Sequence, residues 1–480
     1  MGMTVDGLVT GMATTDMVSQ LMKIEAMPQQ FLKTKVGLQN KAVAAYQSVN
    51  TRLSSLASAA QALSNADAWG SVKTTSSSDA AAITAKPGAT TGSLTFRVNH
   101  LAAAHTVTYS DPTKSVSNPA TTSVLTGTTV DIKLADGTTK QLTPTGQSLQ
   151  SVVSAINGEA NAAYKAAAVQ IEPGKYTLQL TAKKTGEDFA FGPPTGIDPA
   201  VLGAGNTTTL GTDAKLMVGT TASAYPITST TNTFADVMPG VTVTAVRAQL
   251  VGDAPITVGV DDDPDGIASK VQALVDTANV VLSEITSQTR PKNGDVPAGP
   301  LVGDSALRKL AQDVLSSVSG GAGGLGSLSS VGVTLERSGK LSFDKTKFVA
   351  AYQADPAKTR TYFDSYTEVP HANANAAKFE PGWDQPKGLA RKLEALSLVN
   401  GAGVILPTDA ANKPKQGILQ NLIERRNSSI RSLNEQVGEW DLRLARRKSG
   451  LEKQFGGMEV ALGKLKQQSN WLAGQLATLS

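Results

Sequence analysis

Apolar residues recur at alternating steps of three and four at both ends of the chain. From Leu21 the steps reach Ile24, Pro28, Phe31, Lys35, Leu38, Ala42, Ala45, Val49, Arg52, Leu56, Ala59 and Leu63, ten apolar of thirteen without counting proline. From Ile430 they reach Leu433, Val437, Trp440, Leu444, Arg447, Leu451, Gln454, Met458, Ala461, Leu465, Gln468, Leu472, Gln475 and Leu479, eleven apolar of fifteen. A repeat of about 3.5 residues is that of a coiled-coil seam. Pro28 lacks an N–H and is expected to open the long N-terminal helix rather than interrupt it. A shorter helix, capped by Thr15 or Asp16, precedes it. The C-terminal helix, about 50 residues long, would reach roughly 75 Å.

Neither helix can bury its stripe alone, so the economical arrangement packs one on the other and loops out everything between. The alternative has each helix docking on a globular domain of its own. Charge does not select the pairing. Residues 20–63 carry five basic and one acidic side chains and residues 418–468 ten and six, so each segment is net +4. The apolar seam has to dominate, and further copies or a partner's helices could add contact.

The pattern changes after Leu63. Thr74 to Ala89 reads as loop or weak strand, and Leu94 to Val98 alternates as a strand. Val130 to Leu142 forms a hairpin around Asp136-Gly137, and Ser148 caps a short helix through Leu149, Val152, Val153 and Ile156, closed by Asn157-Gly158. Val169 to Leu180 forms a hairpin around Pro173-Gly174. Val237 to Val246 and Ile256 to Val260 are further strands. Helices return at Ile267–Ile285 and near Leu307–Val318, a hairpin turns at Ser338-Gly339, and 370–386 and 400–416 are loops. The fold class is therefore α+β and multidomain, with a terminal coiled-coil leg, a helical-bundle domain and nested antiparallel β-rich head domains. The expected order is a leg at 1–40, a helical domain at 41–70, a β domain at 71–107, an inserted head at 108–212, the β domain resumed at 213–262, the helical domain resumed at 263–427, and the leg closed by 428–480.

Composition narrows the function. The 480 residues include no cysteine, 5% aromatics and a net charge of +4. Disulfides and thiolate metal sites are excluded, and Lys and Arg do not cluster beside stacking aromatics as a nucleic-acid footprint requires. No apolar run is long enough to span a membrane, and no secretory signal opens the chain, so an exported protein of this kind needs another route. Asp261, Asp263 and Asp265 with Gly266 imitate a calcium loop, but Gln272 stands where a bidentate carboxylate is required. That stretch is expected to be a strand-to-helix turn with Asp265 near the cap. Gly321 to Gly326 imitates a dinucleotide fingerprint but follows a helix rather than a strand. His100 and His105, read as one strand, face opposite sides as surface or interface residues, and no relay forms with His371. Trp440 falls on the seam and Trp471 beside it, which assigns both to packing. No catalytic, cofactor or metal residue is expected.

Several segments resemble one family. Gly7-Leu8-Val9-Thr10-Gly11-Met12 through Met22, with Ile24-Glu25 and Pro28, resembles the opening of the flagellar filament-capping proteins (flagellar hook-associated protein two, FliD). The family usually has Leu where Met12 stands and Ile where Met17 stands. Gly299-Pro300-Leu301-Val302-Gly303-Asp304-Ser305-Ala306-Leu307-Arg308 is similar to its helical-domain signature, as are Val331-Gly332-Val333-Thr334 and Gly339-Lys340-Leu341-Ser342-Phe343-Asp344. Gln454-Phe455-Gly456-Gly457-Met458-Glu459, then Leu465 and Gln468 to Leu472, resemble its closing helix, and 130–190 an insert shared by flagellins and hook-associated proteins. The resemblance implies a non-enzymatic homo-oligomeric ring at the filament tip that helps exported flagellin fold and insert. It implies export through the flagellum's own apparatus, contact with hook–filament junction proteins, and a cytoplasmic chaperone on the C-terminal helix. Residues expected to carry self-assembly and flagellin contact are Leu21, Ile24, Phe31, Leu38, Val49, Leu433, Val437, Trp440, Leu444, Leu451, Met458, Leu465 and Leu472. Rival readings are flagellin or a junction protein, a glycan-binding adhesin, and a secreted hydrolase.

Overall fold

The computed structural model describes residues 13–220, 224–370, 378–404 and 415–477, with side chains to Gln475. The chain divides into two compact units, one made of the residues up to Asn65 and from Asp265 onward, the other of Ala66–Pro264.

The helical unit opens with α1 (Thr14–Glu25) and α2 (Met27–Ser64). Ala26 separates them, and Pro28 lies in the first turn of α2, where its missing N–H costs nothing. Ala13 stands at the N-cap of α1 without a side-chain hydrogen bond; Thr15 and Asp16 are inside the first turn. The expected cap is corrected accordingly, and Asp16 acts there on the helix dipole alone.

The second unit holds two main cores and a small third cluster of Ala89, Val241 and Val260. Its strands are β1 (Val72–Ser76), β2 (Ala81–Ala85), β3 (Gly92–His100) and β4 (Ala104–Tyr109), then β5 (Val130–Lys133) and β6 (Thr139–Leu142). After α3 (Leu149–Gly158) come β7 (Tyr164–Glu172), β8 (Lys175–Thr185), α4 (Pro199–Leu202), β9 (Asn206–Thr209), β10 (Ala214–Val218), β11 (Tyr225–Ser229), β12 (Thr233–Met238), β13 (Val241–Ala245) and β14 (Ile256–Asp262). An antiparallel sheet ordered β1-β14-β3-β10-β11 and a smaller one ordered β12-β13-β2 enclose Phe96, Val98, Leu216, Val243, Ile256 and Val258. The sheet β7-β8-β4-β9, the hairpin β5–β6 and α3 enclose the other core, which includes Val107, Leu149, Ile156, Tyr164 and Leu180.

Several expectations are revised here. Thr74–Ala89 is two strands, β1 and β2, because β14 and β13 supply the backbone partners that weak strand propensity leaves unspecified. Val237–Val246 is the end of a hairpin rather than one strand, since Pro239 cannot donate and Gly240 takes φ +80°. His105 is buried, 2% exposed, and not a surface residue. It lies on β4 while His100 ends β3, so the single-strand argument does not apply. Its Nε2 is 2.9 Å from the Phe191 carbonyl oxygen, and its ring meets Phe191 edge-on. His371 lies outside the described residues.

The chain returns to the helical unit through α5 (Pro264–Thr289) and α6 (Ser305–Ser319). Asp265 is in the first turn of α5 and pairs with Lys345 at 2.7 Å. The hairpin of β15 (Val333–Leu335) and β16 (Leu341–Phe343) follows, then α7 (Lys345–Ala354), α8 (Pro356–Asp364), a short pair β17 (Tyr366–Thr367) and β18 (Gln385–Pro386), α9 (Leu389–Asn400) and α10 (Ile418–Ala477). Helices α7, α8 and α9 have no counterpart in the periodicity. Asp344 and Asp355 cap the first two by accepting from the Lys347 and Lys358 amides, and α9 earns its place by packing along α2. Helix α10 begins twelve residues earlier than its repeat suggests. At 60 residues it spans about 90 Å. No helix among the described residues is long and apolar enough to cross a membrane.

Candidate self-assembly surface on the terminal helices

Helices α1 and α2 run antiparallel to α10, and four polar contacts fix the register. Thr14 Oγ1 donates to Glu459 Oε1 at 3.4 Å, Arg447 Nε meets Glu25 Oε1 at 3.0 Å, Gln29 Nε2 donates to the Asp441 carboxylate, and Arg426 Nη1 donates to Gln39 Oε1 at 2.9 Å. Net charge thus opposes the pairing mildly while individual polar groups align it.

In the half of α2 nearest the rest of the unit, the buried stripe is Ala42, Tyr46, Val49, Leu53, Leu56, Ala60 and Leu63. The steps are four then three, so Arg52 is exposed and Leu53 takes the seam. Ala42, Val49, Leu56 and Leu63 are as counted from Leu21, and the stripe departs from that count only at the alternate positions, where Tyr46, Leu53 and Ala60 are buried one residue after Ala45, Arg52 and Ala59; a straight helix drifts about 20° per heptad against a 3.5-residue repeat. Tyr46 is anchored by its hydroxyl, which donates to the Asp304 carboxylate; burial and then that hydrogen bond push its pKa up to about 12. Asp304 also caps α6 by accepting from the Leu307 amide at 3.0 Å. The motif at 299–308 is therefore a turn and cap. Gly299 must lack a Cβ, which would collide with the Gln288 carbonyl oxygen, and Gly303 takes φ +82°. Ser48 and Gln288 each donate to Glu284 Oε1 at 2.7 Å, which ties α2 to α5 and holds the Glu284 pKa below its ordinary value.

Toward the helix ends the stripe leaves the core. Val49 is fully buried and Leu451 nearly so, and Leu433, Val437, Trp440 and Leu444 are half-buried. Ile24, Phe31 and Leu38 are 65%, 60% and 59% exposed, and Leu21 and Met458 are exposed too. Leu465 and Leu472, on the stretch of α10 past Glu459, are 59% and 54% exposed. Trp471 is exposed as well, so its assignment to packing is corrected for the single chain. Cations cover two of the rings, Lys35 over Phe31 at 4.5 Å and Arg443 over Trp440 at 4.6 Å.

The profile for the flagellar hook-associated protein 2 N-terminus matches residues 10–105, and that for its C-terminus matches residues 211–467, more than half of the chain. The chain belongs to the flagellar hook-associated protein 2 family. It is 32% identical over 152 residues to the lateral flagellar hook-associated protein 2 of Vibrio parahaemolyticus, a match spanning 32% of the chain and 34% of that relative. It is 24% identical over 474 residues to the B-type flagellar hook-associated protein 2 of Pseudomonas aeruginosa, spanning 93% of the chain and 89% of that protein. The crystal structure of the flagellar cap protein FliD D1-D2-D3 domains from Escherichia coli shares the fold, with a TM-score of 0.57 and 22% identity over 80% of this chain and 99% of that one. Membership in this family makes the chain a structural protein of the flagellum and not an enzyme. Of the opening motif, Gly7–Met12 lies outside the described residues.

Proposed function

We propose that this chain caps the distal end of a bacterial flagellar filament, several copies assembling into a ring that promotes folding and insertion of exported flagellin. The observation that carries the reading is the apolar stripe left open on the terminal helices. Monomeric soluble proteins rarely leave so much contiguous apolar surface bare unless a partner covers it. Leu21, Ile24, Phe31, Leu38, Met458, Leu465 and Leu472 are the open positions, and Val49, Leu433, Val437, Trp440, Leu444 and Leu451 hold the pair of helices that presents them. The finer parts of the proposal are hook–filament junction proteins as neighbours, a cytoplasmic chaperone shielding the end of α10 before export, and passage through the flagellar export apparatus without a cleaved signal peptide. No observation favours glycan adhesion.

The test is Leu465→Asp with Leu472→Asp. Both side chains are exposed in one chain, so the melting of the monomer should be unchanged. Rings should be lost, and cells should release flagellin into the medium instead of building filaments. Lys464→Glu, on the same exposed stretch, is the control and should be mild. Normal rings and filaments from the double variant would refute the proposal.

A further inference from the structure

Three Asn-Gly pairs stand in the chain, at 157–158, 293–294 and 400–401. In such a pair the backbone turns most readily on the side chain before it, because glycine has no Cβ to shield its own amide nitrogen. The fold treats the three differently. Asn157 lies in the last turn of α3 with its carboxamide held at both ends. Its Nδ2 donates to the Ala166 carbonyl at 2.8 Å and its Oδ1 accepts from the Ala166 amide at 2.9 Å. Asn400 ends α9, where its Nδ2 donates to the Leu396 carbonyl at 2.8 Å and the Gly401 amide donates to the Ser397 carbonyl at 2.8 Å. At both pairs hydrogen bonds have to break before nitrogen and side chain can meet. Asn293 has neither restraint. It opens a two-residue turn, its amide donating to the Val296 carbonyl at 3.1 Å and the Val296 amide donating back at 3.0 Å. Gly294 takes φ +55° at the first central position, the pattern of a type II′ turn. Residues 291–298 are all exposed, and no described group hydrogen-bonds the Asn293 side chain or the Gly294 amide. The stems are pinned behind the tip, the Gly299 amide on the Arg290 carbonyl and the Leu301 amide on the Gln288 carbonyl, each at 2.9 Å. The tip can therefore turn over while α5 and α6 stay in place.

We infer that Asn293-Gly294 is a self-modifying site, at which the folded chain converts an asparagine to aspartate and isoaspartate with water as the only co-reactant. The Gly294 amide nitrogen gives its proton to water and bonds to Asn293 Cγ. The Cγ–Nδ2 bond breaks, and ammonia leaves with a proton returned from water, which closes a succinimide ring. Water then adds to either ring carbonyl and opens it, giving aspartate or, with the main chain routed through Cγ, isoaspartate. One water is taken up and one ammonia released, with no oxidant or reductant. The product adds a negative charge beside Asp295. The same loop, through 297–300, walls a cavity of about 840 Å³ that Lys41, Arg290 and Arg426 also line. The positive charge of that face thus falls as the chain ages.

The test incubates the full-length protein at neutral pH, native and in urea, and counts amide-to-acid conversion at each pair by mass spectrometry after digestion in acid. In urea the three pairs should convert at similar rates. In the native protein 293 should convert at least about tenfold faster than 157 and 400, where hydrogen bonds have to break first. An isoaspartyl methyltransferase with labelled S-adenosylmethionine should label the peptide that holds position 293, since direct hydrolysis of the side chain yields no isoaspartate. Gly294→Ala should slow the conversion, because a Cβ then hinders the attacking nitrogen. Native conversion at 293 no faster than at the other two pairs overturns the inference. So does acid at 293 without isoaspartate, and so does a Gly294→Ala chain that converts as fast as the parent.

Discussion

Replacing Leu53 by Ala separates the buried stripe on α2 from the one that simple heptad counting would choose. Leu53 is fully buried, and its Cβ lies beside Gly401 at the end of α9. Returning a Leu side chain to water forfeits roughly 1.5–3 kcal/mol. The void left beside the Gly401 turn, whose amide donates to the Ser397 carbonyl at 2.8 Å, adds to this. The expected loss is about 3–4 kcal/mol. Arg52, one residue earlier, is exposed, and Arg52→Ala should cost no more than about 0.5 kcal/mol. Two units need not melt together, so a single midpoint is a poor readout. Hydrogen exchange resolved by segment is better: amides of α2 and α9 that open only with the whole unit should exchange about two to three orders of magnitude faster in Leu53→Ala. Those of β8, in the other unit, should not change. Equal costs for the two variants, or a larger one for Arg52→Ala, would refute the stripe and with it the packing of α2 on α9.

Three further outcomes follow from the helical unit. Tyr46→Phe should cost about 1–2 kcal/mol by taking the hydroxyl partner from Asp304. Since the Tyr46 pKa rises from 10.0 to about 12 on folding, the parent should lose stability as pH climbs through that window, and the variant should lose less, read by exchange in α2 and α6. Glu284→Gln should weaken the α2–α5 tie by about 1 kcal/mol or less at neutral pH. Because the Glu284 pKa is depressed below 4.5 in the fold, the difference should vanish as the pH falls below that value, as urea titrations at several pH values would show. Arg391→Met should cost about 3–5 kcal/mol. It strips Asp364 of a 2.6 Å ion pair, the Ser64 carbonyl of a 2.7 Å donor and Glu394 of its cation, and Arg391→Lys should not rescue what the forked guanidinium does; urea unfolding of both variants checks it.

Much of this molecule was legible without coordinates, for local physical reasons. Asp136-Gly137 and Pro173-Gly174 turn hairpins because glycine alone takes the left-handed backbone cheaply there, and Ser148 caps α3 because its hydroxyl satisfies an amide the helix leaves free. Pro28 starts α2 for the same kind of reason. The two long stripes announced helices that need partners, and the antiparallel contacts from Thr14–Glu459 to Gln39–Arg426 show that each finds the other. The motifs at 299–308 and 331–344 carried the family resemblance, and the structure shows the first to be a turn leading into a helix cap and the second a hairpin that ends at the Asp344 cap.

What the sequence could not determine is what depends on neighbours distant along the chain. How wide a face of α2 is buried turned on α9, so at the alternate positions of the repeat Arg52 was read for Leu53. Strands β1 and β2 exist because β14 and β13 pair with them, not because Ser, Thr and Ala favour extended backbone. His105 is buried because Phe191 closes over it. The apolar periodicity could not distinguish Val49, covered by its own chain, from Leu465 and Leu472, which are not. Periodicity records that a surface avoids water, whereas which positions along it are covered depends on neighbours, and only the tertiary structure distinguished them.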